Sequence, residues 1–244
     1  MRDSVVIVVP YVHGTLDELR RCVESVKGQD YSGRVELLVI NESENEDQDV
    51  SEFIGATVVR GPGNSRRRPG GVLLQILTGW MSSDADYMAM LSPTNTIPVD
   101  RLRLQTQRMS AESLAASYGD VVYLSRSGIP ELFEEAKPFR PEMLGRNCFS
   151  IETMMFRRHS FTEAGGFDHV FAAGYRPKAF LQMIAALSGV VERVPTVLLH
   201  HTRGPELLED GLPGESEYQG KAFWGRLRFE RLLARARGEF LGGD

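Results

Sequence analysis

Hydroxyls and an amide, with no carboxylate, follow the fourth apolar run of the chain. Met88-Ala-Met-Leu-Ser-Pro-Thr-Asn-Thr-Ile-Pro98 passes from a buried-strand pattern straight into Ser92, Pro93, Thr94 and Asn95. In open α/β sheets ligands sit beyond the carboxyl ends of strands, so such a tip is the first place to look for chemistry. Ser92, Thr94 and Asn95 can hydrogen-bond a polyhydroxyl ligand. They hold a hard cation only weakly without a carboxylate beside them. A second group is cationic: Arg66, Arg67 and Arg68 stand among glycines and prolines in the segment Gly61–Gly71. Arginine forks and a closely approaching backbone suit phosphate oxygens there, although the same cluster could be a solvated loop. His200 and His201 close the last apolar run. Neighbours on a strand point to opposite faces, so they are not expected to chelate one ion together.

The elements that must position these groups are legible from periodicity. Val5–Pro10 is continuous β-branched sequence, as in a strand buried on both faces of a parallel sheet, and Pro10 is expected to end it. Thr15-Leu-Asp-Glu18 has the capping-box spacing, with Leu16, Leu19, Val23 and Val26 following at helical intervals. Strands are expected at Val35–Ile40, Ala56–Arg60, Tyr87–Leu91, Val121–Leu124 and Thr153–Arg157, with one long or two short strands over Val190–Leu199. Helices are expected at Val72–Met81, Pro98–Met109 and Lys178–Leu187. Asn41–Asp49 reads as an acidic loop, Ile129–Asn147 as irregular, and Gly165-Gly-Phe-Asp168 as a turn. Strands alternating with helices imply an α/β fold with a doubly wound, mixed but mainly parallel sheet flanked by helices. From Glu217 onward Tyr218, Ala222, Phe229, Leu232, Leu233, Ala236 and Phe240 share one helical face and Lys221, Arg228, Arg231 and Arg235 another. That basic amphipathic tail helix suits docking on the body, an anionic membrane surface or a protein partner. Residues 1–203 are expected to form the main domain and 204–244 a linker and the tail.

Composition limits the rest. With 42% apolar and 25% charged residues, the 244-residue chain can bury a full core. A net charge of −5 offers no overall field for nucleic acid. Two cysteines, Cys22 and Cys148, make no disulfide framework, so free thiols in a reducing compartment are expected. The first apolar run is too short for a signal peptide, and no stretch reaches the roughly 20 apolar residues of a membrane span. The expected location is the cytoplasm, peripheral to a membrane if the tail helix binds one.

In joint order and spacing the chain resembles the family 2 glycosyltransferases of the GT-A fold over roughly residues 4–203. The resemblance rests on Ser4-Val-Val-Ile-Val-Val-Pro10, Leu19–Val26 with Gln29-Asp-Tyr31, and Glu36-Leu-Leu-Val-Ile-Asn-Glu-Ser43. Pro98-Val-Asp-Arg-Leu102, Gly165-Gly-Phe-Asp168 and Val194-Pro-Thr-Val-Leu-Leu199 complete it. It implies a nucleotide-sugar donor and a glycan, lipid-linked or other hydroxyl acceptor. Pro10, Tyr11 and His13 would wall the nucleobase, Glu42 beside Asn41 would accept from base or ribose, and Arg67 or Arg68 would face the diphosphate.

Two expected functions are missing from the pattern. The positions of the family's metal-binding Asp-X-Asp motif hold Ser92, Pro93, Thr94 and Asn95. The acidic pair that supplies its base falls on Tyr175 and Arg176, on the acceptor side. The first expectation is therefore a glycosyltransferase working without Mn²⁺ or Mg²⁺ and without another cofactor, in which fixed arginine charge stabilises the leaving diphosphate. Glu163, His200, Asp168 and His201 are candidate bases, the last two carried forward, with a plain turn aspartate the alternative for Asp168. The second is a catalytically degenerate relative that binds a nucleotide, glycan or partner. The third is a nucleotidyltransferase, against which stands Tyr11-Val-His-Gly14 where a lysine-bearing phosphate loop would be needed.

Overall fold

A computed structural model describes residues 3–12, 14–43, 47–61, 71–125, 127–139, 149–168 and 177–202. His13, Arg66, Arg67, Arg68, Cys148, Tyr175, Arg176 and the tail from residue 203 lie outside the described residues. Eight strands form one mixed sheet: β1 (Ser4–Tyr11), β2 (Arg34–Asn41), β3 (Thr57–Arg60), β4 (Tyr87–Met90), β5 (Ala116–Leu124), β6 (Pro130–Glu134), β7 (Met155–Arg157) and β8 (Val191–Thr202). The order runs β3-β2-β1-β4-β7-β5-β6, with β8 on β5. The first four strands are mutually parallel, as is β8 with β5, whereas β7 is antiparallel to β4 and β5, and β6 to β5. The helices are α1 (Leu16–Lys27), α2 (Asp47–Ile54), α3 (Gly71–Met81), α4 (Arg101–Ala111), α5 (Arg158–Glu163) and α6 (Pro177–Ser188). Among the described residues none is long and apolar enough to cross a membrane.

Period-two alternation divides β1 between two cores. Val6 and Val8 face the layer of α3, α5 and α6, with Trp80, Phe156, Phe161 and Phe180. Val5, Ile7 and Val9 face α1 and α4, with Leu19, Val23 and Leu102. The Thr15–Glu18 capping box forms as expected. Gly79 lets α3 settle on β1, because a Cβ there would lie 2.6 Å from Val8 Cγ2. Helix propensity favours Gly79→Ala by about 1 kcal/mol, but overpacking opposes it by about 1–3 kcal/mol. The variant is therefore expected to lower the urea midpoint at an unchanged slope, and a raised midpoint would show that the contact yields.

Some expectations need correction. Pro10 does not end β1 but pairs with Ile40 inside it. The β4 pairing stops at Val8 and Met90, so the N–H that Pro10 lacks is not needed on that side. The acidic loop is shorter than expected because Asp47 opens α2, whose Val50 and Ile54 are buried. The segment read as irregular contains the exposed edge strand β6, and α5 follows β7 directly. Residues 191–202 are one strand, kept continuous past Pro195 by register shifts opposite Gly119 and Asp120.

Candidate functional site

The tips of β2, β1 and β4 lie side by side. Tyr11 is buried with its ring in the core, and its hydroxyl donates to the Gly14 carbonyl at 3.2 Å. Pro10 is buried as well, so both residues underlie the tip. Gly14, at φ 105°, turns the chain so closely that a Cβ on it would meet Pro93 and Thr94 at 3.9 and 3.8 Å. The loops after β1 and β4 thus touch.

At the β2 tip the two polar candidates separate. Asn41 is fully buried, accepts from the Ser43 N–H and hydroxyl at 2.9 and 2.7 Å, and donates to Asp47 at 2.6 Å. Half-buried Glu42 donates its N–H to the Tyr11 carbonyl at 2.9 Å. Its side chain lies across Gly61, where a Cβ would come within 2.5 Å of Glu42 Cγ. Glu42 is therefore a carboxylate set over the β1–β3 tips, with Asp47 beside it held by Asn41 and Arg60.

At the β4 tip a carboxylate does stand, brought from another element. Glu152 accepts from the Ser92 N–H at 2.8 Å and the Ser92 hydroxyl at 2.9 Å, and from the Asn95 amide at 2.9 Å. It lies in the single 3₁₀ turn Ile151–Thr153 that leads into β7. Pairing of β7 with β4 joins Ala89 to Met155, and the same register carried three residues further sets Glu152 opposite Ser92. Sequence reading missed it because antiparallel pairing, which a strand pattern does not reveal, is what brings residue 152 to the tip.

The turn is held from below by Arg101. This fully buried arginine donates to the carbonyls of Glu152 at 2.7 Å and Met154 at 3.5 Å, and to Gln105 at 2.9 Å. Gln105 in turn donates to the Thr153 carbonyl at 2.9 Å and the Ser117 hydroxyl at 3.0 Å. Burial pulls the Arg101 pKa down to about 10 against the opposing pull of Glu152, which leaves the side chain cationic at neutral pH.

Strand β8 closes the other side. Thr96 and His200 exchange backbone hydrogen bonds at 3.1 and 2.9 Å, and buried Asn95 accepts from the Thr202 N–H at 3.2 Å. His201 sits between these anchors, half-buried and edge-on to Tyr123 at 5.1 Å. Burial lowers the pKa of His200, which favours a neutral imidazole. The structure thus brings together Ser92, Thr94, Asn95 and the end of β8, with Glu42 at the neighbouring tip.

Asp168 belongs elsewhere. It follows Phe167, whose ring packs on Phe161 at 5.0 Å and lies 5.6 Å from the Arg158 guanidinium. Arg158 donates to the Trp80 and Ala85 carbonyls, so this turn is anchored towards the start of β4, away from its tip. Gly166 is required in it, since a Cβ would lie 2.2 Å from the Phe161 ring. Cys22 is a free, buried thiol; burial, with Glu152 adding to it, pushes its pKa up and keeps it protonated. Among the described residues no three His, Cys, Asp or Glu side chains gather into a metal-holding group.

No protein-family model and no curated protein matches the sequence. Solved structures match the fold. S. aureus TarS 1-349 in complex with UDP-GlcNAc aligns with a TM-score of 0.62 at 14% identity, over 96% of this chain and 66% of that one. The same fragment in complex with UDP gives 0.56 at 12% identity, over 96% and 65%. A longer TarS structure gives 0.57 at 13% identity, over 98% of this chain and 43% of its own. The chain therefore spans less than two thirds of the length of the TarS structures it matches. At these identities the likeness is one of fold: an α/β domain with a mixed, mainly parallel sheet, shared with a protein solved holding UDP and UDP-GlcNAc.

Proposed function

We propose that the chain holds a nucleoside diphosphate sugar across the tips of β2, β1 and β4 and transfers its hexosyl group to an acceptor hydroxyl. The observation that supports this most is the Glu152 carboxylate fixed on Ser92 and Asn95, at the strand tips of a fold shared with a UDP-GlcNAc-bound protein. In this reading Glu42 accepts from base or ribose, Arg67 and Arg68 face the diphosphate, and Glu152 with Ser92 and Thr94 takes hexose hydroxyls. The acceptor oxygen bonds to the anomeric carbon as that carbon's bond to the phosphate oxygen breaks, and the nucleoside diphosphate leaves with the electron pair. The acceptor proton passes to His201, which is preferred to Asp168 because β8 is tied to the β4 loop next to it. Tyr175 and Arg176 belong to the acceptor side. Arginine charge offsets the negative charge growing on the leaving group, so no divalent cation is required. The acceptor is a glycan, a lipid-linked sugar or another hydroxyl compound, and the basic tail helix meets an anionic membrane or a protein partner.

Calorimetric titration with UDP-GlcNAc, repeated in EDTA, tests this. Binding is expected, with a dissociation constant that chelation changes by less than about twofold, or roughly 0.4 kcal/mol. Strict dependence on Mn²⁺ or Mg²⁺ would overturn the metal-free part, and absence of UDP and UDP-GlcNAc binding would overturn the whole. A second reading is binding without turnover. It is favoured by a carboxylate that three donors fix in place while Oε1 keeps acceptor capacity, which suits holding a ligand more than moving a proton. Thermal stabilisation by UDP-GlcNAc with no release of UDP in the presence of candidate acceptors selects it.

A further inference from the structure

Gln75 on α3 is fully buried, and among the described residues neither its Nε2 nor its Oε1 has a hydrogen-bond partner. A buried carboxamide without partners is costly, and native structures leave few such groups without a reason. Its neighbours on α3, Leu73, Ile76, Leu77 and Trp80, are apolar core, where leucine would serve better.

The position of Gln75 follows from two anchors of α3. Gly79 rests on Val8, and residues four apart share a helix face. Stepping back from Gly79 to Gln75 climbs about 6 Å of helix, or about two strand residues, to the level of Pro10. Independently, Ser83 beyond the end of α3 donates to Glu36 at 2.7 Å. Stepping back from Ser83 to Gln75 climbs about 12 Å, between three and four strand residues, to the level of Val39 and Ile40. Pro10 and Ile40 are register partners, so both routes end at the same height, directly below the tips of β1 and β2. Trp80 donates to the Ala89 carbonyl and so marks the β4 side of the helix. Gln75 lies on the far side of Gly79 from Trp80, towards β2, at about 100° of turn per residue.

We infer that Gln75 is a specificity-determining residue that reads the edge of the nucleobase, an assignment that rests on the nucleotide-sugar reading. A carboxamide carries one N–H edge and one carbonyl edge and no charge. It matches a planar ligand edge with an N–H beside a carbonyl, as in the imide of a uracil: Nε2 donates to the base carbonyl and Oε1 accepts from the base N–H. Rotation about its side-chain torsions carries the carboxamide up into the tip, beneath Glu42. The unpaired burial of the free protein is thereby exchanged for two hydrogen bonds in the complex.

The test is Gln75→Leu, with Gln75→Met as a second apolar replacement, measured by thermal melting and by titration with UDP and UDP-GlcNAc. Both variants are expected to melt several degrees above the parent, because an unpaired amide is removed from an apolar site. Both are expected to bind UDP at least about tenfold more weakly, with an equal loss for UDP-GlcNAc. Unchanged UDP affinity, loss confined to UDP-GlcNAc, or a lowered melting temperature would each overturn the assignment. If the parent binds neither ligand, the functional reading fails and this inference with it, whereas parent binding that both variants retain removes the inference alone.

Discussion

Glu152→Gln is expected to fold normally and to lose hold of the sugar while keeping hold of the nucleotide. The geometry allows the two to be separated. Oε2 of Glu152 accepts from two nitrogen donors, Ser92 N–H and the Asn95 amide, while Oε1 accepts from the Ser92 hydroxyl. Glutamine can keep its oxygen on the two nitrogen donors and turn its amide towards the hydroxyl, which rotates and accepts. The scaffold survives, with a change in stability under about 1 kcal/mol. What disappears is the charge and the spare acceptor capacity of Oε1, which takes one donor only among the described residues. A hydrogen bond to a charged group contributes about 1.5–3 kcal/mol, so UDP-GlcNAc affinity should fall roughly 10- to 100-fold. UDP, which has no hexose, should lose less than about twofold. Glu152→Ala is the contrasting variant. It strands three donors and should cost about 3 kcal/mol of folding stability besides the ligand affinity. Equal weakening of UDP and UDP-GlcNAc by Glu152→Gln would mean that Glu152 only supports the loop.

The same residue marks the limit of what the sequence discloses. Apolar runs such as Val5–Val9, continuous in β-branched residues, and Tyr87–Leu91, short and unbroken, announce buried strands because such runs suit few other places, and β1 and β4 lie where those runs predict. Capping at Thr15 and Glu18 is local and equally legible. Glu152 is not, because its position depends on β7 running antiparallel to β4, a long-range choice with no local signal. Its small neighbourhood, Ser150 through Thr153, reads as an ordinary approach to a strand. Gln75 carries a weak signal, a lone amide among Leu73, Leu74, Ile76 and Leu77, which periodicity assigns to core and then leaves without a role. Asn95 looks like a ligand-facing amide in sequence, yet in the structure its oxygen and nitrogen are engaged by Thr202 and Glu152.

Arg101→Met should be the most damaging of the substitutions outside the site, and it should reach the site. The guanidinium is fully buried, and its depressed pKa reflects a cost of burial that methionine would not bear. Volume is nearly kept, so that relief favours the variant. Against it stand the partners left behind. The Glu152 carbonyl and the Gln105 oxygen lose firm hydrogen bonds at 2.7 and 2.9 Å, and each stranded buried acceptor costs about 1–3 kcal/mol. Two such acceptors outweigh the relief of removing the buried charge, so a net loss of about 3 kcal/mol is expected in urea unfolding. The loss is not spread evenly. Gln105, freed from Arg101, no longer holds the Thr153 carbonyl and the Ser117 hydroxyl in fixed positions, and the turn that aims Glu152 at Ser92 loosens. UDP-GlcNAc binding should therefore weaken in the pattern of Glu152→Gln, with UDP spared, even in protein kept fully folded at low temperature. Arg101→Lys can reach one carbonyl but cannot fork, so it should recover part of the stability and less of the sugar affinity. Full stability loss with unchanged UDP-GlcNAc binding would show that the turn holds its shape without Arg101 and that Glu152 is aimed by β7 and Ser92 alone.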